Sequence, residues 1–295
     1  MCADTQDQAA NADDLIRLAE EGDAEAQIYL GLAYRFELLG FARNDAETAR
    51  WFLRAAEKGD AKAQTYIGIM LKNGTGVAMD TTKAVLWFQR AAEQGYAHAE
   101  FHLGEMYHDG EGVPKDETEA VRWFEKSAQQ GYDEAQFQLG LSYDVTTYYA
   151  SNFDEATYWY RRAAEQGHAD AQFYLGCLYM KRHLVFFPKK TRTKAMHWFQ
   201  KAAQQGHAEA QFVLGGLYEG GRGTWGRGKM AEAFVWYGLA VLFGDEDAAD
   251  ERDRVASRLS DETLLAAQEQ VQELHAAIER KRIEVAKRKA YACRL

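Results

Sequence analysis

Tryptophan recurs at Trp51, Trp87, Trp123, Trp159, Trp198 and Trp236, at intervals of 36, 36, 36, 39 and 38 residues, and only Trp225 falls outside the series. Two glycine ladders keep step with it: Gly22, Gly59, Gly95, Gly131, Gly167, Gly206 and Gly244, and Gly31, Gly68, Gly104, Gly140, Gly176 and Gly215. Self-similarity at this period marks stacked supersecondary units, each unable to bury its apolar face alone. The repeat restricts the chain to a solenoid and steers its function towards holding partners rather than making or breaking bonds.

One unit, residues 96–131, shows how the repeat folds. Ala99, Leu103, Met106 and Tyr107 fall at i, i+4, i+7 and i+8, an apolar helical stripe. The run 109–114 breaks it with Gly110, Gly112 and Pro114. Asp116 then offers a cap for a second helix, with Glu119 in capping-box position. Ala120, Trp123, Phe124 and Ala128 line the inner face of that helix, and Gly131 closes it. Small residues at 99, 104, 120 and 128 let the helix axes approach, while Leu103, Tyr107 and Trp123 fill the space between them. Gly104 in mid-helix costs about 1 kcal/mol against Ala, and its recurrence in six units argues that close packing repays the loss.

Composition agrees with an all-helical chain. Two prolines occur among 295 residues. The formal charge of −10 disfavours general nucleic-acid binding. From Arg280 onward seven basic residues face one acid, Glu284, so this tail carries +6 and the remainder −16. No apolar run reaches the ~18 residues that span a membrane, and no apolar secretory leader is present. Cys2, Cys177 and Cys293 are odd in number and share no spacing, which speaks against a disulfide framework and for a reducing cytoplasm. The alternative is periplasmic or lipid-anchored: Cys2 followed by the polar run 3–11 also fits a lipoprotein whose leader has been removed, as well as a free thiol on a frayed terminus.

The unit resembles the Sel-1-like repeat family, a relative of the tetratricopeptide repeat, with the pattern A-x-x-x-L-G-x-x-Y-x-x-G-x-G-V-x-x-D-x-x-K-A-x-x-W-x-x-K-A-A-x-x-G. Residues 61–95 carry it through Ala63, Gly68, Gly74, Gly76, Val77, Asp80, Lys83, Ala84, Trp87, Ala91, Ala92 and Gly95. The resemblance covers about residues 12–245. It implies an all-α, right-handed αα-superhelix of about six helical hairpins with N- and C-terminal capping helices and a concave groove. It also implies a role as an adaptor in assembly, signalling or secretion. The expected organisation is a disordered tail over 1–11 and a solenoid over 12–245. Its repeats run over about 23–59, 60–95, 96–131, 132–167, 168–206 and 207–244. Capping helices over 246–279 and a basic tail over 280–295 follow. Asp261 is the expected cap of the last long helix, and the basic stretch is expected to project beyond the packed region.

The chain departs from its own pattern in the turns. Repeats two and three keep G-x-G-V, whereas the fourth has 146–151 without glycine, the fifth has 184–190, and the sixth has the glycine-rich 220–228. Insertions in a solenoid emerge on one edge, often the binding edge. Tyr148, Tyr149, Phe186, Phe187 and Trp225 are therefore candidate partner-binding loop residues, unless they tuck over their own hairpins. A second stripe on the first helices gathers Ile28, Phe101, Phe137, Phe173 and Phe212. It continues through Leu32, Ile69, Glu105, Leu141 and Cys177, then Arg35, Lys72, His108, Asp144 and Met180. By resemblance to tetratricopeptide units these columns face the groove. The candidate groove residues are Phe101, Glu105, His108, Phe137, Leu141, Asp144, Phe173, Cys177 and Phe212. They suit a peptide, while the Phe column reads equally as packing between repeats.

No catalytic reading survives. His98, His102, Glu105 and Asp109 share a helix face, and two imidazoles with a carboxylate are the beginnings of a metal site. No third rigid ligand comes from another helix, so neither metal nor cofactor is expected. His168 and His207 sit in the linker column of Tyr96 and Tyr132. H-E-x-x-H, G-x-S-x-G and a phosphate-cradling loop between strand and helix are all lacking. Family members described as penicillin-binding carry a cysteine pair per repeat, absent here, so that activity is not carried over. The expected function is a non-catalytic protein–protein interaction module, a bacterial adaptor or regulator acting as a monomer on a protein or peptide partner with a basic patch. The alternative is an immunity-type inhibitor that occludes a dedicated toxin.

Overall fold

The computed structural model describes residues 3–145, 152–181, 189–220 and 229–292, which form helices throughout with no strand among them. They divide into two compact units, one running to Gln136 and the other from Phe137 on. The first unit holds α1 (Ala3–Glu21), α2 (Ala24–Phe36), α3 (Asp45–Glu57), α4 (Ala61–Asn73), α5 (Thr81–Glu93), α6 (Ala97–Asp109) and α7 (Glu117–Gln129). Helix α8 (Asp133–Val145) contains the division. The second unit continues with α9 (Phe153–Gln166), α10 (Ala169–Lys181), α11 (Lys189–Ala203), α12 (Ala208–Glu219), α13 (Met230–Leu242), α14 (Ala248–Ala256) and α15 (Asp261–Ala292). Helix α1 begins inside the segment expected from sequence to be a tail, where Ala3, Ala9 and Ala10 favour helix.

Helix boundaries follow local chemistry. Asp23, Asp60 and Asp80 accept from the backbone N–H three residues on, at 2.7, 2.8 and 2.9 Å, and Asp116 accepts from Thr118 and Glu119. His168 and His207 cap α10 and α12 in the same way, each Nδ1 accepting from the N–H of Ala171 and Ala210. Gly131 ends α7 with φ +97°; its N–H reaches Ala128 O while Tyr132 N–H reaches Ser127 O, the paired closure of a Schellman turn. For α15 the capping side chain is Ser260, whose hydroxyl accepts from Thr263 N–H, rather than Asp261, which lies in the first turn.

The core is built from a glycine on each first helix and an aromatic ring on the second. Gly31, Gly68, Gly104, Gly140, Gly176 and Gly215 face Phe52, Phe88, Phe124, Tyr160, Phe199 and Tyr237. A Cβ on any of these glycines would lie between 2.3 and 2.7 Å from that ring. The ring that fills the gap is thus the residue after the tryptophan. Trp123 is half-buried with the Lys126 ammonium 3.7 Å from its ring centroid, because one residue further along turns the side chain by about 100°. Arg90 over Trp87 and Lys201 over Trp198 repeat that arrangement.

Helices α14 and α15 bury Ala248, Val255, Ala267, Val271 and Ile278 with the apolar side of α13. Helix α15 then continues past residue 280 with residues 280–286 exposed. Lys281 and Arg282 line a cleft of about 260 Å³ with Gln204, Gln205, Ile278 and Val285, and Arg282 lies over the Phe243 ring.

Candidate partner-binding face

The nine groove residues expected from sequence fall on both units. Phe101, Glu105 and His108 belong to the first unit and the other six to the second. Phe101 is 7% exposed, packed on Phe124 and Tyr132 at ring-centroid distances of 5.8 and 5.1 Å. It is a core side chain there. Glu105 is taken by His102, whose Nδ1 lies 2.8 Å from Oε2, and exposed His108 pairs with Glu117 at the same distance. Arg35 and Lys72, two repeats and one repeat earlier in the His108 column, pair with Asp45 and Glu111. The polar positions of the first unit's stripe are spent on the unit itself.

In the second unit Phe137, Leu141, Asp144, Phe173, Cys177 and Phe212 are all half-buried. Phe137 packs on Tyr160 and Tyr174, and Phe173 on Tyr174 and Phe199, all with centroids within 6 Å; Phe212 meets Tyr237 at 5.5 Å. Each phenylalanine therefore touches the core ring of its own hairpin with one edge and keeps the other towards the surface. Asp144 has a side chain 12% exposed and an ion pair of 3.8 Å with Lys181. Burial first, and then the Asp144 charge, push the Tyr160 phenol upward. Burial likewise raises the Cys177 thiol to about 11, with Lys181 opposing and Asp144 and Glu209 adding, so it stays protonated at neutral pH and acts as a small apolar group.

Two columns were not apparent from the sequence. Tyr66, His102 and Tyr174 stack on the core rings Phe52, Phe88 and Tyr160 of the preceding hairpin, which joins successive repeats. The recurrence of a ring one residue after the phenylalanine column was the available signal. The other column is glutamine. Gln27, Gln64, Gln136, Gln172 and Gln211 each donate Nε2 to a backbone carbonyl eight residues earlier, at 2.9 to 3.2 Å. Gln64 and Gln172 also accept from Gln94 and Gln205.

The metal face weighed from sequence comes apart in three dimensions. His98 lies between the Tyr96 and Tyr132 rings, while His102 stacks on Phe88. Among the described residues no group of three or more His, Cys, Asp or Glu is placed to hold a metal ion. Tyr148, Tyr149, Phe186, Phe187 and Trp225 lie outside the described residues.

Comparison with protein families matches Sel1 repeats to residues 24–60, 61–96, 97–132, 133–168, 169–207 and 208–242. The chain belongs to the Sel1 repeat family. Its members are generally protein-interaction modules built as all-α solenoids. A Sel1 repeat protein from Oxalobacter formigenes is 28% identical over 78% of this chain and 99% of its own, with a TM-score of 0.67. A protective antigen of uropathogenic Escherichia coli strains, displaying the same repeat fold, is 26% identical with a TM-score of 0.56; the match covers 94% of this chain and 66% of the antigen's length. An immunity protein from Pseudomonas aeruginosa, matched over 80% of this chain and 83% of its own, is 21% identical with a TM-score of 0.44, too remote to bear on what this Sel1 repeat chain does. No curated protein matches it. Among the described residues no helix is long and apolar enough to cross a membrane.

Proposed function

We propose that this Sel1 repeat protein is a non-catalytic bacterial adaptor or regulator that holds a protein or peptide partner on the first-helix face of its second unit. The half-buried set on α8 and α10 carries this reading: Phe137, Leu141, Phe173, Cys177 and Met180 pack on the core yet stay partly uncovered, on the same two helices as Asp144 and its partner Lys181. Apolar surface beside a fixed charge suits recognition of a segment rather than bond chemistry. The net charge of −10 favours a partner with a basic patch. The loop aromatics Tyr148, Tyr149, Phe186, Phe187 and Trp225 are a second contact edge in this proposal.

The test is affinity capture from native lysate with three chains: intact, Leu141→Glu/Met180→Glu, and Phe186→Ala/Phe187→Ala/Trp225→Ala. Circular dichroism checks that each is folded. A stoichiometric partner retained by the loop variant and lost with Leu141→Glu/Met180→Glu is the expected outcome. Loss in the loop variant alone would move the interface to the loop edge. Retention by both variants overturns the face.

A further inference from the structure

Within the second unit the rings on this face are continuous. His168 lies 4.6 Å from Phe137, Phe137 5.6 Å from Tyr174, Tyr174 5.5 Å from Phe173, and Phe173 4.6 Å from His207, all between ring centroids. Tyr174 sits in the middle of this shelf and is half-buried, its inner side stacked on the fully buried Tyr160 ring. The charges of carboxylates on three first helices act on it: Asp144 of α8, Asp170 of α10 and Glu209 of α12. Asp170 and Glu209 lie 3.3 and 3.9 Å from His207 Nε2, and their side chains are 55% and 70% exposed.

Among the described residues the charges acting on Tyr174 are those of carboxylates. His207 Nδ1 accepts from Ala210 N–H, and its Nε2 faces Asp170. After burial, Glu209, the Cys177 thiol, Asp170 and Asp144 raise the Tyr174 phenol. Among the described residues Lys181 pairs with Asp144 at 3.8 Å, with a side chain 64% exposed, so that it stands largely in water. An aromatic face ringed by carboxylates attracts a cation twice over, through the ring quadrupole and through Coulomb attraction in a partly desolvated setting. Arginine meets both demands at once, because its planar guanidinium stacks on a ring while its edge donates to carboxylates.

We propose that the Tyr174 shelf is the receptor for a cationic side chain, arginine above all, on a protein segment whose apolar neighbours lie along Phe137, Leu141 and Phe173. This rests on the interaction face proposed above and names the chemistry of its partner. Asp144 and Glu209 give the segment its charge selectivity, and Tyr174 gives the preference for arginine over lysine.

The test uses the intact chain as bait for a phage-displayed library of random peptides. Enriched peptides are then resynthesised and titrated against intact chain, Asp144→Asn/Glu209→Gln, Tyr174→Leu and Leu141→Glu. The expected result is enrichment of arginine next to apolar residues. Affinity should fall about tenfold in Asp144→Asn/Glu209→Gln and weaken steeply with salt. The Asp144→Asn and Glu209→Gln changes are near-isosteric, so binding can be compared in folded protein even where Tyr174→Leu loosens the hairpin. Peptides without a cationic preference that are lost in Leu141→Glu would overturn the cation receptor and leave the interaction face standing. Arginine peptides indifferent to the Asp144 and Glu209 changes would overturn the receptor as well. No enrichment at all would overturn both.

Discussion

Gln130 Nε2 donates to Glu100 Oε2 at 2.7 Å across 30 residues, which joins the end of one hairpin to its own first helix. Glu100 is 4% exposed and stands where the other repeats place glutamine. A carboxylate in this position can accept the bond from Gln130, but when ionised it cannot donate to a backbone carbonyl as its counterparts do. Burial raises its pKa, with the Gln130 bond and the Lys126 charge opposing. The native state thus binds the Glu100 proton more tightly than the unfolded chain. The stability linked to that proton is present below the unfolded carboxylate range and lost as pH rises through the native pKa. Glu100→Gln should stabilise the protein at pH 7 by about 1–3 kcal/mol, with a gain that shrinks as the pH falls towards 4. Urea unfolding at the two pH values measures this, and an equal gain at both would argue against the linkage.

Gly140 lies under Tyr160 so closely that a Cβ would sit 2.3 Å from the ring. Alanine is the better helix former by about 1 kcal/mol, so Gly140→Ala in isolation would strengthen α8. Overpacking a close contact costs about 1–3 kcal/mol, and here the neighbour is a fully buried ring with no room to turn. The expected outcome is net loss of stability. The double variant Gly140→Ala/Tyr160→Leu should recover part of it, since the smaller side chain gives way. Thermal unfolding of the single and double variants provides the check.

How much of the fold is legible in the chain depends on what each residue type signals. Glycine in mid-helix is costly, so six of them in register announce close packing by their spacing alone. Tryptophan, being rare, makes Trp123 conspicuous, although Phe124 is the ring against Gly104 and Trp123 serves as a half-buried support for Lys126. A conspicuous residue marks the register of a repeat without marking its core. His168 and His207 occupy a linker column in sequence, but their capping bonds to Ala171 and Ala210 depend on rotamers that spacing does not carry. Of the face proposed on the second unit, Phe137, Leu141, Asp144 and Phe173 can be read from the sequence as a regular stripe. Tyr174 cannot be, because the role proposed for it depends on Tyr160 of the preceding hairpin and on Asp144 and Glu209 of neighbouring first helices.

The glycines of the G-x-G turns test how repeats stack in the first unit. Gly59 and Gly76 both have positive φ, +98° and +70°, so a side chain at either is strained by about 1–2 kcal/mol. Around Gly59 a Cβ would meet nothing within 4 Å, whereas at Gly76 it would lie 2.0 Å from the backbone oxygen of Asp45, the first residue of α3. Gly112 stands in the same relation to Thr81, at 2.5 Å from its oxygen. Backbone cannot give way as a flexible side chain does. Gly76→Ala and Gly112→Ala should therefore destabilise by at least about 1–3 kcal/mol more than Gly59→Ala. Equal unfolding midpoints for Gly59→Ala and Gly76→Ala would show that the turn does not bear on the preceding hairpin.

The glutamine pairing fails at Gln27, whose Oε1 is buried without a partner. In the middle repeats the acceptor is met by a glutamine at the end of the hairpin: Gln94 for Gln64, and Gln205 for Gln172. The corresponding position in the first repeat is Lys58, whose ammonium donates to the carbonyl of Gly22 instead. Gln205 makes both bonds at once, to Gly167 O and to Gln172 Oε1, each at 2.9 Å. A glutamine at 58 has the same reach in the same register, so Lys58→Gln should keep the bond to Gly22 and satisfy Gln27. Satisfying a buried acceptor is worth about 1–3 kcal/mol, against the loss of an exposed lysine bond worth less than about 1 kcal/mol. The variant should unfold at higher urea than the parent, and the gain should vanish in Lys58→Gln/Gln27→Leu, where the acceptor is gone. A gain that persists in the double variant would place its origin in the removed charge rather than in the clasp.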